Sequence, residues 1–131
     1  MTFLCDTNII SELARRSPNA GVLEWAEKTS SVALSVITVE EIHYGLAWKP
    51  NPRILSWFEE FFATHCSILP ITREIAQWTG ERRGQFKAGG KSRTQADMLI
   101  AATAALHGLT LVTRNIRDFE QCGVALLNPF R

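Results

Sequence analysis

Apolar positions fall in short runs along this chain, some continuous and some at helical spacing, and the alternation predicts strands and helices in turn. Phe3–Cys5 is apolar throughout, as a strand buried on both faces is. Asn8–Arg16 shifts to helical spacing through Ile9, Leu13 and Ile10, Ala14. Ser17-Pro18 predicts a second helix start, with Ser17 as the cap and Val22, Trp25 and Ala26 as the buried stripe. Ser31–Ile37 reads as the second strand, and Thr38-Val39-Glu40-Glu41 as a capping box that opens a helix through Trp48. Beyond Pro50-Asn51-Pro52 come an aromatic helix, Ile54–Thr64, and a brief third strand, Ser67–Ile71. Thr72–Lys87 is helical, Ala88–Ser92 is a flexible loop, and Gln95–His107 is a helix stopped by Gly108. Leu109–Thr113 and Val124–Leu127 are the last strands.

Strands alternating with helices predict an α/β fold, a parallel sheet covered on both faces. Such sheets bind ligands beyond the carboxyl ends of their strands. With no internal repeat and no linker, residues 1–131 read as one domain. A hydrophobic fraction of 46% supports a real core, and a net charge of +1 provides no global pull on nucleic acid. Three cysteines form no CxxC pair and leave one over in any disulfide scheme; Cys5 and Cys66, in apolar contexts, read as buried free thiols of a reducing cytoplasm. No export signal opens the chain, and no apolar run approaches the ~18 residues of a membrane helix.

Aspartate changes the picture. The chain has only three, Asp6, Asp97 and Asp118, against ten glutamates, and each lies at the end of an apolar element. Asp6 closes the first strand, Asp97 opens an apolar helix, and Asp118 follows the fourth strand. Glu41, just after the second strand, is able to join them on one edge of the sheet. Singly, each has an ordinary reading as a cap, first-turn acid or loop residue. Together they form a like-charge cluster in which carboxylates about 4 Å apart repel by roughly 4 kcal/mol at an effective dielectric near 20. A hard divalent cation, Mg²⁺ or Mn²⁺, is the simplest remedy.

These segments resemble the blocks of the PIN-domain family. Leu4-Cys5-Asp6-Thr7-Asn8-Ile9-Ile10-Ser11-Glu12 is similar to its opening, and Ser35–Gly45, with Glu41, to its second block. Ala96–Ala104, with Asp97, resembles the third; Leu111–Asn115 followed by Asp118-Phe119 resembles the fourth, and Leu127-Asn128-Pro129-Phe130 the ending. The likeness is greatest to VapC-type toxins of bacterial toxin–antitoxin pairs, including the FitB-like branch. It implies a three-layer α/β/α sandwich around a five-stranded parallel sheet. It also implies Mg²⁺- or Mn²⁺-dependent endoribonuclease activity, homodimerisation and inhibition by a small VapB-like antitoxin, with DNA bound only through the antitoxin complex. Asp6, Glu41 and Asp97 match the first three family acids. Some members carry aspartate at the position of Asn115, so either Asn115 or Asp118 completes the set here. Thr7, Asn8 and Thr113 match polar positions able to orient metal-bound water.

The basic residues Arg82, Arg83, Lys87, Lys91 and Arg93 run without an intervening acid up to Asp97. Beside an acidic site they would neutralise an RNA backbone; the plainer reading is a solvated helix face and loop. Gly89-Gly90-Lys91-Ser92 is no phosphate loop, since position 85 holds Gln85 where that motif needs glycine. His43, His65 and His107 have no zinc-ligand spacing. The aromatic residues Trp57, Phe58, Phe61 and Phe62 read first as core, then as a contact for a second copy or an antitoxin. The favoured reading is a metal-dependent endoribonuclease leaving 5′-phosphate and 3′-hydroxyl ends, with Asp6, Glu41, Asp97 and Asp118 as its acids. A rival class is a catalytically weak module that acts by occupying an antitoxin and, with it, operator DNA; Asn115 in place of an acid is its support.

Overall fold

Strand β1 (Phe3–Cys5) lies at the centre of a five-stranded sheet in the computed structural model, which describes every residue from Met1 to Arg131. It pairs in parallel with β2 (Val32–Ser35) on one side and β4 (Thr110–Val112) on the other. The edges are β3 (Cys66–Leu69) and β5 (Leu126–Leu127), giving the order β3-β2-β1-β4-β5, all parallel. Six helices connect and cover the strands: α1 (Thr7–Leu13), α2 (Ala20–Glu27), α3 (Val36–Trp48), α4 (Pro52–Thr64), α5 (Arg73–Ala88) and α6 (Gln95–Leu106). A short 3-10 turn, Ile116–Phe119, follows β4. This is the α/β/α architecture expected from the sequence. No helix is long and apolar enough to cross a membrane.

Alternation along the strands builds two cores. Register pairs Leu4 with both Ala33 and Leu111, and these three face one core with Met98, Ile100, Ala101 and Ala104 of α6. Their neighbours Cys5, Leu34 and Val112 point the other way, onto Ile9 and Ile10 of α1, Val22 of α2, Ile42 of α3 and Phe58 of α4. Because the central strands are buried on both faces, they carry apolar residues at consecutive positions. That is why Phe3–Cys5 shows no polar alternation in sequence. Of the aromatic residues on α4, Phe58 is buried, while Trp57, Phe61 and Phe62 are half-buried against the same core.

Several boundaries move. Helix α2 is capped not by Ser17 but by Asn19, whose Oδ1 accepts from the Gly21 and Val22 amides. The second strand stops at Ser35, which caps α3 through the Ile37 amide at 3.1 Å. Thr38 is therefore no cap: it is fully buried inside α3, and Glu41 lies in the helix rather than in a capping box. Val36 and Ile37 are apolar and β-branched, so they continue the strand pattern in sequence even though the backbone has already turned helical. All three cysteines are free, as expected, but it is Cys122 that is buried with Cys5, while Cys66 on the edge strand β3 is half-buried.

Close packing decides one glycine. A Cβ at Gly21 would lie 2.2 Å from the Pro129 carbonyl oxygen and 2.7 Å from Arg131 Cγ. Asn19 holds that C-terminal segment in place, donating from Nδ2 to the Arg131 carbonyl and accepting from the Arg131 amide. Gly21→Ala should therefore destabilise the fold by about 1–3 kcal/mol, the usual range for overpacking against backbone. Gly45→Ala, where an added Cβ meets nothing within 4 Å, should be neutral or mildly stabilising, and urea unfolding of the two variants checks the contrast.

Candidate active site

The chain runs from β1 to β2 to β3 on one side of the sheet and then returns to β4 and β5 on the other. The reversal opens a crevice between the carboxyl ends of β1 and β4, the usual ligand position in such a sheet. Asp6 and Thr113 are the first residues beyond those two ends. The Asp6 amide donates to the Val112 carbonyl at 2.8 Å, and the Thr113 hydroxyl donates to Asp6 Oδ2 at 2.8 Å. Asp6 also caps α1: its Oδ1 accepts from the Thr7 amide at 2.8 Å, and its Oδ2 accepts from Asn8 Nδ2 at 3.2 Å. Asn8 Oδ1 then accepts from the Arg114 amide, tying α1 to the segment after β4.

Asp6 is only 5% exposed, yet no cation pairs with it. Its pKa is raised from 3.8 to about 6: burial is the largest cause, the Thr113 and Thr7 hydrogen bonds oppose it, and the charges of Asp97 and Glu41 add to it. Those charges place both acids within electrostatic reach of Asp6. Glu41 is oriented by the Thr7 hydroxyl, which donates to its Oε1 at 2.6 Å. A hydroxyl has one proton, so the 3.1 Å contact between the Thr7 and Thr38 hydroxyls is a donation from Thr38. The result is a chain from Thr38 to Thr7 to Glu41.

Asp97 sits in the first turn of α6, where Thr94 caps the helix by accepting from the Asp97 amide at 3.1 Å. Its pKa is raised, first by burial and then by the charge of Asp118, against lowering by the Thr94 side chain and Arg93. Asp118 itself is exposed on the 3-10 turn, which brings it within electrostatic reach of Asp97. Asn115 begins that turn; its amide donates to the Thr113 hydroxyl oxygen at 3.0 Å, and its side chain makes no capping bond. Asp6 thus lies within electrostatic reach of Asp97 and Glu41, and Asp97 within reach of Asp118. No three acidic, imidazole or thiol groups close around a single point. The donor set is all oxygen, which suits Mg²⁺ or Mn²⁺. A Mg²⁺ ion keeps several waters and needs only one or two carboxylates, so these pairs fit it.

The family profile of the PIN domain matches residues 3–124. The chain belongs to the PIN-domain family. Among its relatives, this PIN domain is 35% identical to a protein described as VapC ribonuclease Y4jK from Sinorhizobium fredii, over 95% of each chain. It is 36% identical to Toxin FitB from Neisseria gonorrhoeae, over 97% of each. Its fold superposes on a structure of FitAB bound to an IR36 DNA fragment with a TM-score of 0.84 and 35% identity, covering 99% of this chain and 96% of that one.

The basic stretch of this PIN domain divides. Arg83, Lys87, Lys91 and Arg93 line one cleft, whereas Arg82 stacks on Trp78 at 4.8 Å in a separate groove beside Glu74 and Glu81. Two positioning residues escaped the sequence reading, Thr38 and Thr94. Thr94 was within reach of it: Thr94-Gln95-Ala96-Asp97 has the spacing of a helix N-terminus with an acid at its third position. Thr38 was not, because its partner Thr7 is 31 residues away.

The raised pKa of Asp6 fixes the sign of a pH effect. A folded pKa above the unfolded one gives stability that is full below pH ~4 and is lost as pH rises through about 6. Without metal, Asp6→Asn should therefore be more stable than the parent at pH 8 by about 1–2 kcal/mol, less than the full shift implies because the new amide opposes the Asn8 donor. The advantage should vanish near pH 4. Urea unfolding at the two pH values checks it, and a stability difference independent of pH would mean that Asp6 does not titrate as described.

Proposed function

We propose that this PIN domain is the toxin of a toxin–antitoxin pair and acts as a cation-dependent endoribonuclease in the cytoplasm. The observation that carries the reading is Asp6: a carboxylate without a counter-ion, buried at the switch point and opposed by two further acids. Relatives described as a VapC ribonuclease and as Toxin FitB support the substrate class and the role. The FitAB complex on DNA supports a small antitoxin partner, with DNA reached through it. A homodimer is the expected assembly.

Asp6 and Asp97 would hold the Mg²⁺ or Mn²⁺ ion, with Glu41 and Asp118 completing its shell directly or through water. When bound, the cation supplies positive charge for the phosphate and acidity for a nearby water. The protein's own contribution is position. Thr7 and Thr113 fix both oxygens of Asp6, Thr38 acts through Thr7 to hold Glu41, and Thr94 holds Asp97 at the start of α6. Asn8 ties the start of α1 to the segment after β4, and the Asn115 amide holds the Thr113 hydroxyl oxygen. No side-chain nucleophile is needed, since attack by water gives 5′-phosphate and 3′-hydroxyl ends.

A second reading keeps its one support. Asn115 is neutral at the fourth acid position, which suits a domain that binds an antitoxin and cuts weakly. The purified protein separates the two. Cleavage of RNA that stops in EDTA, returns with Mn²⁺ and disappears in Asp97→Asn supports the nuclease; RNA left intact under saturating Mn²⁺ rejects it.

The fourth acid has its own test. With Asp118 beside Asp97, Asp118→Ala should raise the Mn²⁺ concentration for half-maximal cleavage several-fold, and adding Asn115→Asp should partly restore it. If Asn115 is the fourth group instead, Asn115→Ala will do the damage and Asp118→Ala will leave the metal requirement unchanged.

A further inference from the structure

The cleft along α5 has an unusual lining. Arg83, Lys87, Lys91 and Arg93 surround a space of about 560 Å³, no lining residue is hydrophobic, and none is acidic. Not one of these four cations takes part in a salt bridge. Arg93 is the most constrained: its guanidinium lies over Phe86 at 4.6 Å and donates from Nη2 to the Glu120 carbonyl at 3.2 Å. Its Nε is buried and has no partner. Arg83 Nε donates to the Arg93 carbonyl at 3.4 Å, which joins α5 to the segment before α6. The floor includes Gly80 and Gly84, one helical turn apart, and a Cβ at either would meet nothing within 4 Å. No packing contact requires glycine there. Their effect is a bare helix surface beneath a ring of positive charge.

We propose that this cleft holds the phosphodiester backbone of single-stranded RNA on the approach to the acidic site. The inference rests on the ribonuclease reading and specifies its substrate path. Arg93 joins the two regions, since it lines the cleft and directly precedes Thr94, the cap whose hydroxyl oxygen accepts from the Asp97 amide. A polyanion entering a site of four acids needs compensating charge nearby, and the cleft supplies it. Its polar lining offers no aromatic surface for stacking, so it grips phosphates without reading bases. A second copy of this chain is a poor occupant: a two-fold interface would set this cationic patch against itself. Arg82, in its separate groove with Glu74 and Glu81, takes no part.

Fluorescence polarisation of a labelled single-stranded RNA in EDTA, over a range of KCl, tests the cleft without cleavage. Lys87→Ala and Lys91→Ala should each weaken binding and lower the slope of log affinity against log salt by ~0.7, the value for one lost phosphate contact on a single strand. Arg82→Ala should leave the slope unchanged. Gly84→Glu should weaken binding far more than Gly84→Gln, which fills the same space without charge. Equal effects of Glu and Gln, or unchanged slopes in both lysine variants, would overturn the proposal. So would a change in sedimentation of Gly84→Glu with RNA affinity intact, which would assign the cleft to a second copy. Cleavage in Mn²⁺ separates the two readings. If RNA binds through the cleft, with slopes lowered in the lysine variants, yet is never cut, the cleft assignment stands and the ribonuclease reading falls. If RNA is cut and bound alike by parent and cleft variants, the reverse holds.

Discussion

A carboxylate almost wholly withdrawn from water governs the crevice end of this domain. Asp6 is held at the crevice between β1 and β4 by a backbone amide, a threonine hydroxyl and an asparagine amide. Three hydrogen bonds do not fully replace hydration, and the neighbouring acids make the charge less welcome still, so its pKa is raised despite them. The surrounding polar residues follow from that constraint. Thr113 is fully buried with its hydroxyl donating to Asp6; the Asn115 amide donates to that same hydroxyl oxygen, and Asn8 accepts from Arg114 to bind the two strand ends together.

The same constraint explains why the sheet is built as it is. Central strands buried on both faces leave no exposed side on which a polar residue could sit, so polar chemistry is pushed to strand ends. Asp6, Ser35 and Thr113 all lie at such ends, and each is a buried polar residue that caps a helix or anchors one that does. The two cores on either side keep those ends in register.

Much of this was legible in the sequence. The apolar runs located all five strands and all six helices, and the scarcity of aspartate pointed to Asp6, Asp97 and Asp118 before any fold was known. Boundaries were harder where one element's end looks like the next one's interior. Val36 and Ile37 extend the strand pattern of β2, so the true cap, Ser35, was hidden inside it and Thr38 was credited in its place. Ser17-Pro18 has good start chemistry, but Asn19 has better geometry because it also binds the C-terminal segment. The basic stretch was visible as a run of charge; that helix geometry turns Arg82 away from the other four is a fact of three dimensions.

The hydrogen bond from Thr113 to Asp6 joins residues 107 positions apart. A parallel sheet with its first strand in the centre cannot complete that strand's pairing until β4 has been made. Non-local pairings of this kind are slow to form, since a long loop must close before any contact rewards it. During synthesis Asp6 therefore emerges early and waits, an incomplete half-site, for a partner near the other end of the chain. A ribosome that has made only the first hundred residues of this domain holds Asp6 without the hydroxyl of Thr113, the far wall of its crevice or the turn that carries Asp118.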